Sequence, residues 1–108
     1  PVILGTSAEE REAKHIEDSC EKALNLVGKT SLLDLPELAR GAAGSVGNDT
    51  GPMHVIGPTG CPSLVLFSAL SDPDRHVPLG DDVHVLQRDD LGNLSVDTVS
   101  GALLPILR

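Results

Sequence analysis

The chain alternates short apolar runs with stretches that carry helix-start signals, and that order constrains its fold more than any other feature. The runs are Val2-Ile3-Leu4, Leu24-Asn25-Leu26-Val27, Ser45-Val46-Gly47-Asn48, Ser63-Leu64-Val65-Leu66-Phe67 and Val83-His84-Val85-Leu86. Short apolar runs of this kind suit strands covered on both faces of a parallel sheet. Helix signatures lie between them. Thr6 with Glu9 and Ser7 with Glu10 make two overlapping capping-box patterns, followed by an apolar stripe at Ala13, Ile16, Cys20, Ala23 and Leu24. Ser31 with Asp34 predicts a second helix with the stripe Leu32, Leu35, Leu38, Ala39 and Ala42. Pro36 falls in its first turns, and Gly41 and Gly44 bracket its end. Asp49-Thr50-Gly51-Pro52 starts a third helix, kept short by Gly57-Pro58-Thr59-Gly60. Val96, Val99, Ala102, Leu103, Ile106 and Leu107 form the stripe of a C-terminal helix, whose last turn Pro105 loosens.

Strand–helix alternation implies right-handed crossovers, so the expected architecture is α/β, a three-layer Rossmann-like parallel sheet with helices on both faces. In open sheets of this kind ligands sit beyond the C-terminal strand ends. The candidate loops are therefore 5–9, 28–31, 47–52 and 68–76. The last belongs to a Pro-, Asp- and Ser-rich stretch over 68–82, long enough to be a functional loop. No internal repeat, linker or low-complexity tract interrupts the pattern.

Composition narrows the partners. A length of 108 residues suits one domain, and 40% hydrophobic with 22% charged residues is a globular balance. Sixteen acidic side chains against eight basic ones give a net charge of −8, and Phe67 is the only residue among Phe, Trp and Tyr. The chain thus lacks both the basic patch that binds phosphate backbones and the platforms on which bases stack, which argues against nucleic acid. An anionic membrane surface is disfavoured for the same reason. A small anionic ligand stays open, because N–H groups at a helix start bind phosphate without net positive charge. Cys20 and Cys61 form neither a disulfide framework nor a metal-ligand spacing, and read as free thiols in a reducing cytosol. No apolar run approaches the roughly 20 residues of a membrane span. The start at Pro1 has no Met and no basic n-region, so it is not a signal peptide and reads as a chain entered midway. The sequons Asn48-Asp49-Thr50 and Asn93-Leu94-Ser95 then read as chance matches.

Among the motifs, Gly28-Lys29-Thr30 has the tail of a Walker A loop. That motif needs a glycine where Ala23 stands, and it follows its strand, whereas residues 24–27 read as a strand. Gly41, Gly44 and Gly47 have the wrong spacing for a dinucleotide fingerprint. The segment Asn48-Asp49-Thr50-Gly51-Pro52-Met53-His54 is more informative. It joins a strand end, an acidic or hydroxyl N-cap, a glycine permitting close approach, and an early proline. The N–H groups of Thr50 and Gly51 and the helix dipole can face a diphosphate. Asp49 can accept from sugar hydroxyls, and His54, about one turn on, can return to the same mouth. A well-capped helix with an incidental histidine explains the same residues. Glu9 likewise serves a capping box, and Lys29 either neutralises a phosphate or is an exposed loop lysine. His76, beside Asp74 and Arg75, touches a ligand or sits in a solvated loop. His15 and His84 receive no role. Asp81-Asp82 and Asp89-Asp90 read as solvated turns, with no ligand spacing for a metal.

Asp-Thr-Gly-Pro-Met-His after a short strand, with a later strand ending in Phe67, resembles the ADP-heptose:lipopolysaccharide heptosyltransferases, glycosyltransferase family 9. The resemblance covers essentially the whole chain. It implies that the 1–108 segment is the C-terminal, nucleotide-sugar donor-binding domain of a two-domain, GT-B type enzyme. By that likeness Glu9 matches a glutamate that binds the donor ribose. Thr30, opening Thr30-Ser31-Leu32, matches a residue that lies against the adenine, and Asp49, Thr50 and Gly51 match the loop that holds the diphosphate and sugar. His54 joins this donor set, with Lys29, Pro52 and Met53 as further candidates for donor contact. The sequence departs from the family's pattern in two places: Val55-Ile56-Gly57-Pro58 stands where an Ala-rich helix is usual, and Ser68 follows Phe67 where Gly is common. Ser71-Asp72-Pro73 keeps a trace of the usual Thr-Asp-Pro.

The activity implied is transfer of heptose, or a related sugar, from ADP-heptose to a lipid-linked lipopolysaccharide core acceptor. No cofactor is expected and no metal ligand is assigned, the metal requirement being left open; the resemblance implies a cytoplasmic location, at the inner face of the inner membrane for the full-length enzyme, and an acceptor held by an N-terminal domain. The catalytic base belongs to that domain, so no catalytic residue is expected within 1–108, and this segment alone is expected to bind nucleotide without turning it over. Two other readings stay open: a stand-alone nucleotide-binding or regulatory module, and a nucleotide-sugar enzyme with another donor.

Overall fold

A computed structural model describes residues 1–69 and 77–108. The described chain forms two compact units, Pro1–Asp34 and Leu35–Arg108.

In the first unit, β1 (Val2–Ile3) pairs in parallel with β2 (Leu24–Asn25). A single 3-10 turn (Ser7–Glu9) leads into helix α1 (Glu10–Ser19) between them. Thr6 and Glu9 form the expected capping box. The expected stripe runs too far: the helix ends at Ser19, and Cys20 is already extended, at φ −140° and ψ 103°. Ala23 and Leu24 therefore lie outside the helix, and Leu24 is a strand residue. The strands are shorter than the apolar runs, yet their pairing continues past them. Leu26 N–H donates to the Ile3 carbonyl at 3.0 Å and Gly28 N–H to the Gly5 carbonyl at 2.9 Å. The second helix does not start at Ser31. Residues 32–34 are a turn, in which the Asp34 carboxylate accepts from the Ser31 N–H at 2.8 Å.

The second unit begins with α2 (Leu35–Gly41) and holds a parallel sheet of β3 (Ser45–Asn48), β4 (Ser63–Phe67) and β5 (Val83–Gln87), with β4 central. Asn48, Leu66 and Leu86 align across the three strands. The parallel α/β class is as expected, with the pairing distributed over two sheets. The core sits around β4, where Leu64, Val65 and Phe67 are buried, together with Met53, Ile56 and Cys61. Ser63 is polar yet fully buried. Its hydroxyl donates to the Cys61 carbonyl at 2.8 Å and meets the Ser45 hydroxyl at 2.9 Å, so its burial leaves no group unsatisfied. Helix α3 (Gly51–Ile56) is short as expected and runs into a 3-10 turn closed by Gly60 at φ 84°, a left-handed position that favours glycine. Helix α4 (Val96–Leu103) is capped by the Ser95 hydroxyl, which accepts from Thr98 N–H at 3.0 Å. It gives way to a 3-10 turn containing Pro105. The guanidinium of Arg108 donates to the carbonyls of Ala39, Arg40 and Ala42 at 2.8–3.0 Å, satisfying the open C-terminus of α2.

Candidate functional site

Each unit carries candidate residues at the C-terminal ends of its strands. In the first, the ladder bond from Gly28 to Gly5 brings the 5–9 segment and the 28–30 turn to the same end of one strand pair. Gly28 stands at φ 73°, and Lys29 N–H closes the turn onto the Leu26 carbonyl at 2.9 Å. Thr30 is half-buried, whereas Lys29 and Glu9 are exposed. The Glu9 Oε2 accepts from both the Thr6 N–H, at 2.7 Å, and the Thr6 hydroxyl, at 2.6 Å. These bonds, the hydroxyl's first and the backbone's second, hold the Glu9 carboxyl below its ordinary value. A carboxyl depressed in the folded chain contributes stability above its unfolded pKa and loses it as pH falls through the folded one. We therefore expect Glu9→Gln to lose less melting temperature than the wild type on acidification through and below the ordinary glutamate range. Identical acid limbs in thermal melts of the two chains count against this.

Beside the same ladder runs an open cleft of about 290 Å³, lined by Glu10, Lys14, Glu17, Asn25, Val27 and Lys29. Of the residues singled out from the sequence, only Lys29 lines it. Asn25 is a polar residue in a strand position, and its side-chain oxygen accepts from Val27 N–H at 3.0 Å. That polar break in an apolar run is the signal by which the cleft could have been found.

In the second unit, the 47–52 loop follows β3 into α3. Asp49 is nearly buried, its side chain 14% exposed, and its Oδ1 lies 3.2 Å from Nε2 of the more exposed His54. The two are five positions apart, and the helix turn returns His54 to the strand end. Thr50 occupies the N-cap position with extended backbone, but its hydroxyl makes no cap. It donates back to the Asn48 carbonyl at 3.5 Å, a correction to the hydroxyl-cap expectation. Gly51 opens the helix and is exposed, and Pro52 follows half-buried. Met53 does not face the mouth. It is buried against β3, where its sulfur lies 2.9 Å from the place a Cβ on Gly47 would take. A second Asp–His contact, Asp82 just before β5 with His84 on it at 2.5 Å, shows that such a pair alone does not mark a site. Ser71, Asp72, Pro73, Asp74, Arg75 and His76, and with them most of the 68–76 loop, lie outside the described residues. Among the described residues no three His, Cys, Asp or Glu side chains cluster as a metal site, and no helix is long and apolar enough to cross a membrane.

Chemically, the 47–52 loop and His54 together offer backbone N–H groups at a helix start, an acceptor carboxylate and an imidazole, a set suited to an anion bearing hydroxyls. Residues 2–97 match the model of glycosyltransferase family 9 (heptosyltransferase). No curated protein matches the chain significantly. Among solved structures the chain is similar to the ADP-heptose LPS heptosyltransferase II of E. coli, at 23% identity and a TM-score of 0.85, covering 97% of this chain and 35% of that one. It is also similar to the family 9 glycosyl transferase of Veillonella parvula, at 24% identity and a TM-score of 0.72, covering 94% of this chain and 29% of the other. At these identities the likeness is one of fold, and the chain spans about a third of the length of either structure.

Proposed function

The chain belongs to glycosyltransferase family 9, the heptosyltransferase family, and from that premise we propose that it is the donor-binding part of an enzyme that transfers heptose, or a related sugar, from ADP-heptose. In this reading Asp49, Thr50 and Gly51 hold the diphosphate and sugar, with His54 beside them. Glu9 takes the ribose, and Thr30 lies against the adenine, largely through its backbone. The observation that carries the reading is the position of Asp49-Thr50-Gly51 where β3 ends and α3 begins, the strand end at which parallel α/β sheets place ligands.

Departure of a nucleoside diphosphate builds negative charge on the leaving phosphate. Donors already oriented toward that charge lower the barrier without reorganising as the bond breaks. With a net charge of −8, the chain cannot supply this by bulk potential, so local backbone N–H groups and the His54 imidazole carry the task. The acceptor hydroxyl needs a base, which this reading assigns to an N-terminal domain that also holds a lipid-linked lipopolysaccharide core acceptor at the inner face of the inner membrane. The donor is then cytoplasmic, and no cofactor is required.

Thermal-shift titration of the chain with ADP, GDP and UDP tests the reading. ADP is expected to give the largest stabilisation, about 2.7 kcal/mol at a hundred times its dissociation constant. A preference for UDP rejects the adenine assignment, and no response to any of the three rejects donor binding. The chain alone is expected to transfer no sugar, and measurable transfer overturns the division of labour.

A further inference from the structure

Resting on the donor-binding reading, we propose that Thr6 is a positioning residue that sets the Glu9 carboxylate to receive the two ribose hydroxyls of the nucleotide. Two bonds from one residue converge on one oxygen: the Thr6 N–H and the Thr6 hydroxyl both donate to Glu9 Oε2, at 2.7 and 2.6 Å. A capping box needs only the first from the glutamate. The hydroxyl donates its one proton to Glu9 and uses a lone pair to accept from the Ala8 N–H at 3.3 Å, so the two roles do not compete. An ionised carboxylate has about four acceptor positions. Two of these positions, both on Oε2, are taken by Thr6, and the side chain is exposed, so a neighbouring pair of hydroxyls can approach the carboxylate from solvent.

Gly5 closes the other side. A Cβ there would lie 3.2 Å from Glu9 Cβ and 3.4 Å from Oε2, so the carboxylate rests against bare backbone. That backbone is itself tied to the 28–30 turn through the bond from Gly28 N–H to the Gly5 carbonyl. The carboxylate is thus held relative to the segment assigned to the base, where a free glutamate would sample many rotamers.

The test compares the chain's affinities for ADP and for 2′,3′-dideoxyadenosine diphosphate by calorimetry, in wild type, Thr6→Ser and Thr6→Val. The wild type is expected to prefer ADP by about tenfold or more, because charge-assisted bonds to the hydroxyls are lost with the analogue. Thr6→Ser keeps that ratio, and Thr6→Val reduces it to about twofold or less. Loss of the cap alone weakens both ligands equally and leaves the ratio unchanged, because both meet the same folded population. An unchanged ratio in Thr6→Val therefore overturns the proposal, whatever happens to overall affinity. Wild-type binding of ADP without preference over the analogue overturns it too, together with the assignment of Glu9 to the ribose, while leaving nucleotide binding by the chain intact. Failure of the wild type to bind ADP overturns the donor reading itself.

Discussion

The double substitution Asp49→Ala with Gly51→Val is expected to lower the affinity of the chain for ADP by about 100-fold, roughly 2.7 kcal/mol, while leaving the fold in place. The two changes act by different routes. Asp49→Ala removes a nearly buried carboxylate, releases the His54 imidazole it contacts at 3.2 Å, and takes away an acceptor for hydroxyls. Gly51→Val works by volume. A Cβ at Gly51 meets nothing within 4 Å, and its φ is not positive, so the protein itself accommodates the branched side chain. The space it fills is the space through which a phosphate would approach the start of α3. Bonds to charged groups contribute about 1.5–3 kcal/mol each, so a drop of this size corresponds to the loss of one to two such contacts. Calorimetry on the two single variants and the double variant, with thermal melts run alongside, checks this. Affinity that survives the double change shows that the 47–52 loop does not hold the nucleotide.

The elements of the second unit were largely legible because their signals are short-range and agree with one another. The run 63–67 contains only apolar residues and a serine that finds local partners, and β4 covers the same span. Thr50-Gly51-Pro52 starts α3, and Gly57-Pro58 stops it. The misplaced ends have physical causes. Ala23 and Leu24 continue the arc of the α1 stripe, and periodicity cannot separate the end of a helix from a strand whose first leucine falls on the same arc. The start at Ser31 failed because Pro36 has no N–H to donate to the carbonyl four residues back. The capping bond between Ser31 and Asp34 still forms, but as a turn, which leaves Leu32 and Leu33 exposed. In the candidate site the loops were legible and the orientations were not. Met53 and Ile56 sit three apart and are both buried, a helical core pair that outweighs any reading of Met53 as a ligand contact. The Thr50 hydroxyl could cap the helix or turn back on its own strand, and sequence carries no preference strong enough to choose. The cleft around Asn25 escaped because it is built from α1 and β2 side chains that no motif joins.

Phe67→Ala is expected to destabilise the second unit by about 3–5 kcal/mol, a large share of the 5–15 kcal/mol that is typical of a whole domain. Phe67 has no exposed surface and closes the C-terminal end of the central strand, in which Leu64 and Val65 are also fully buried. It is also the only large aromatic in a chain whose core otherwise consists of aliphatic, sulfur-containing and small residues. No neighbour of similar bulk can move in to fill the space, so the cost should lie toward the upper end of that range. For a unit of this size each kcal/mol is worth about 4–8 °C, so the melting midpoint should fall by roughly 15 °C or more. Phe67→Leu retains most of the volume and should cost under about 1.5 kcal/mol. The effect on binding separates core from site. Asn48 aligns with Leu66, one position before Phe67, so the end of β3 that carries Asp49 is hydrogen-bonded to the strand that Phe67 anchors. Phe67 itself is too deeply buried to touch a ligand. Well below the variant's melting midpoint, Phe67→Ala should therefore bind ADP within about threefold of wild type, the reverse of the behaviour expected for Asp49→Ala with Gly51→Val. A Phe67→Ala chain that remains folded at low temperature by circular dichroism but no longer binds ADP would place the ligand against β4 and not at the start of α3.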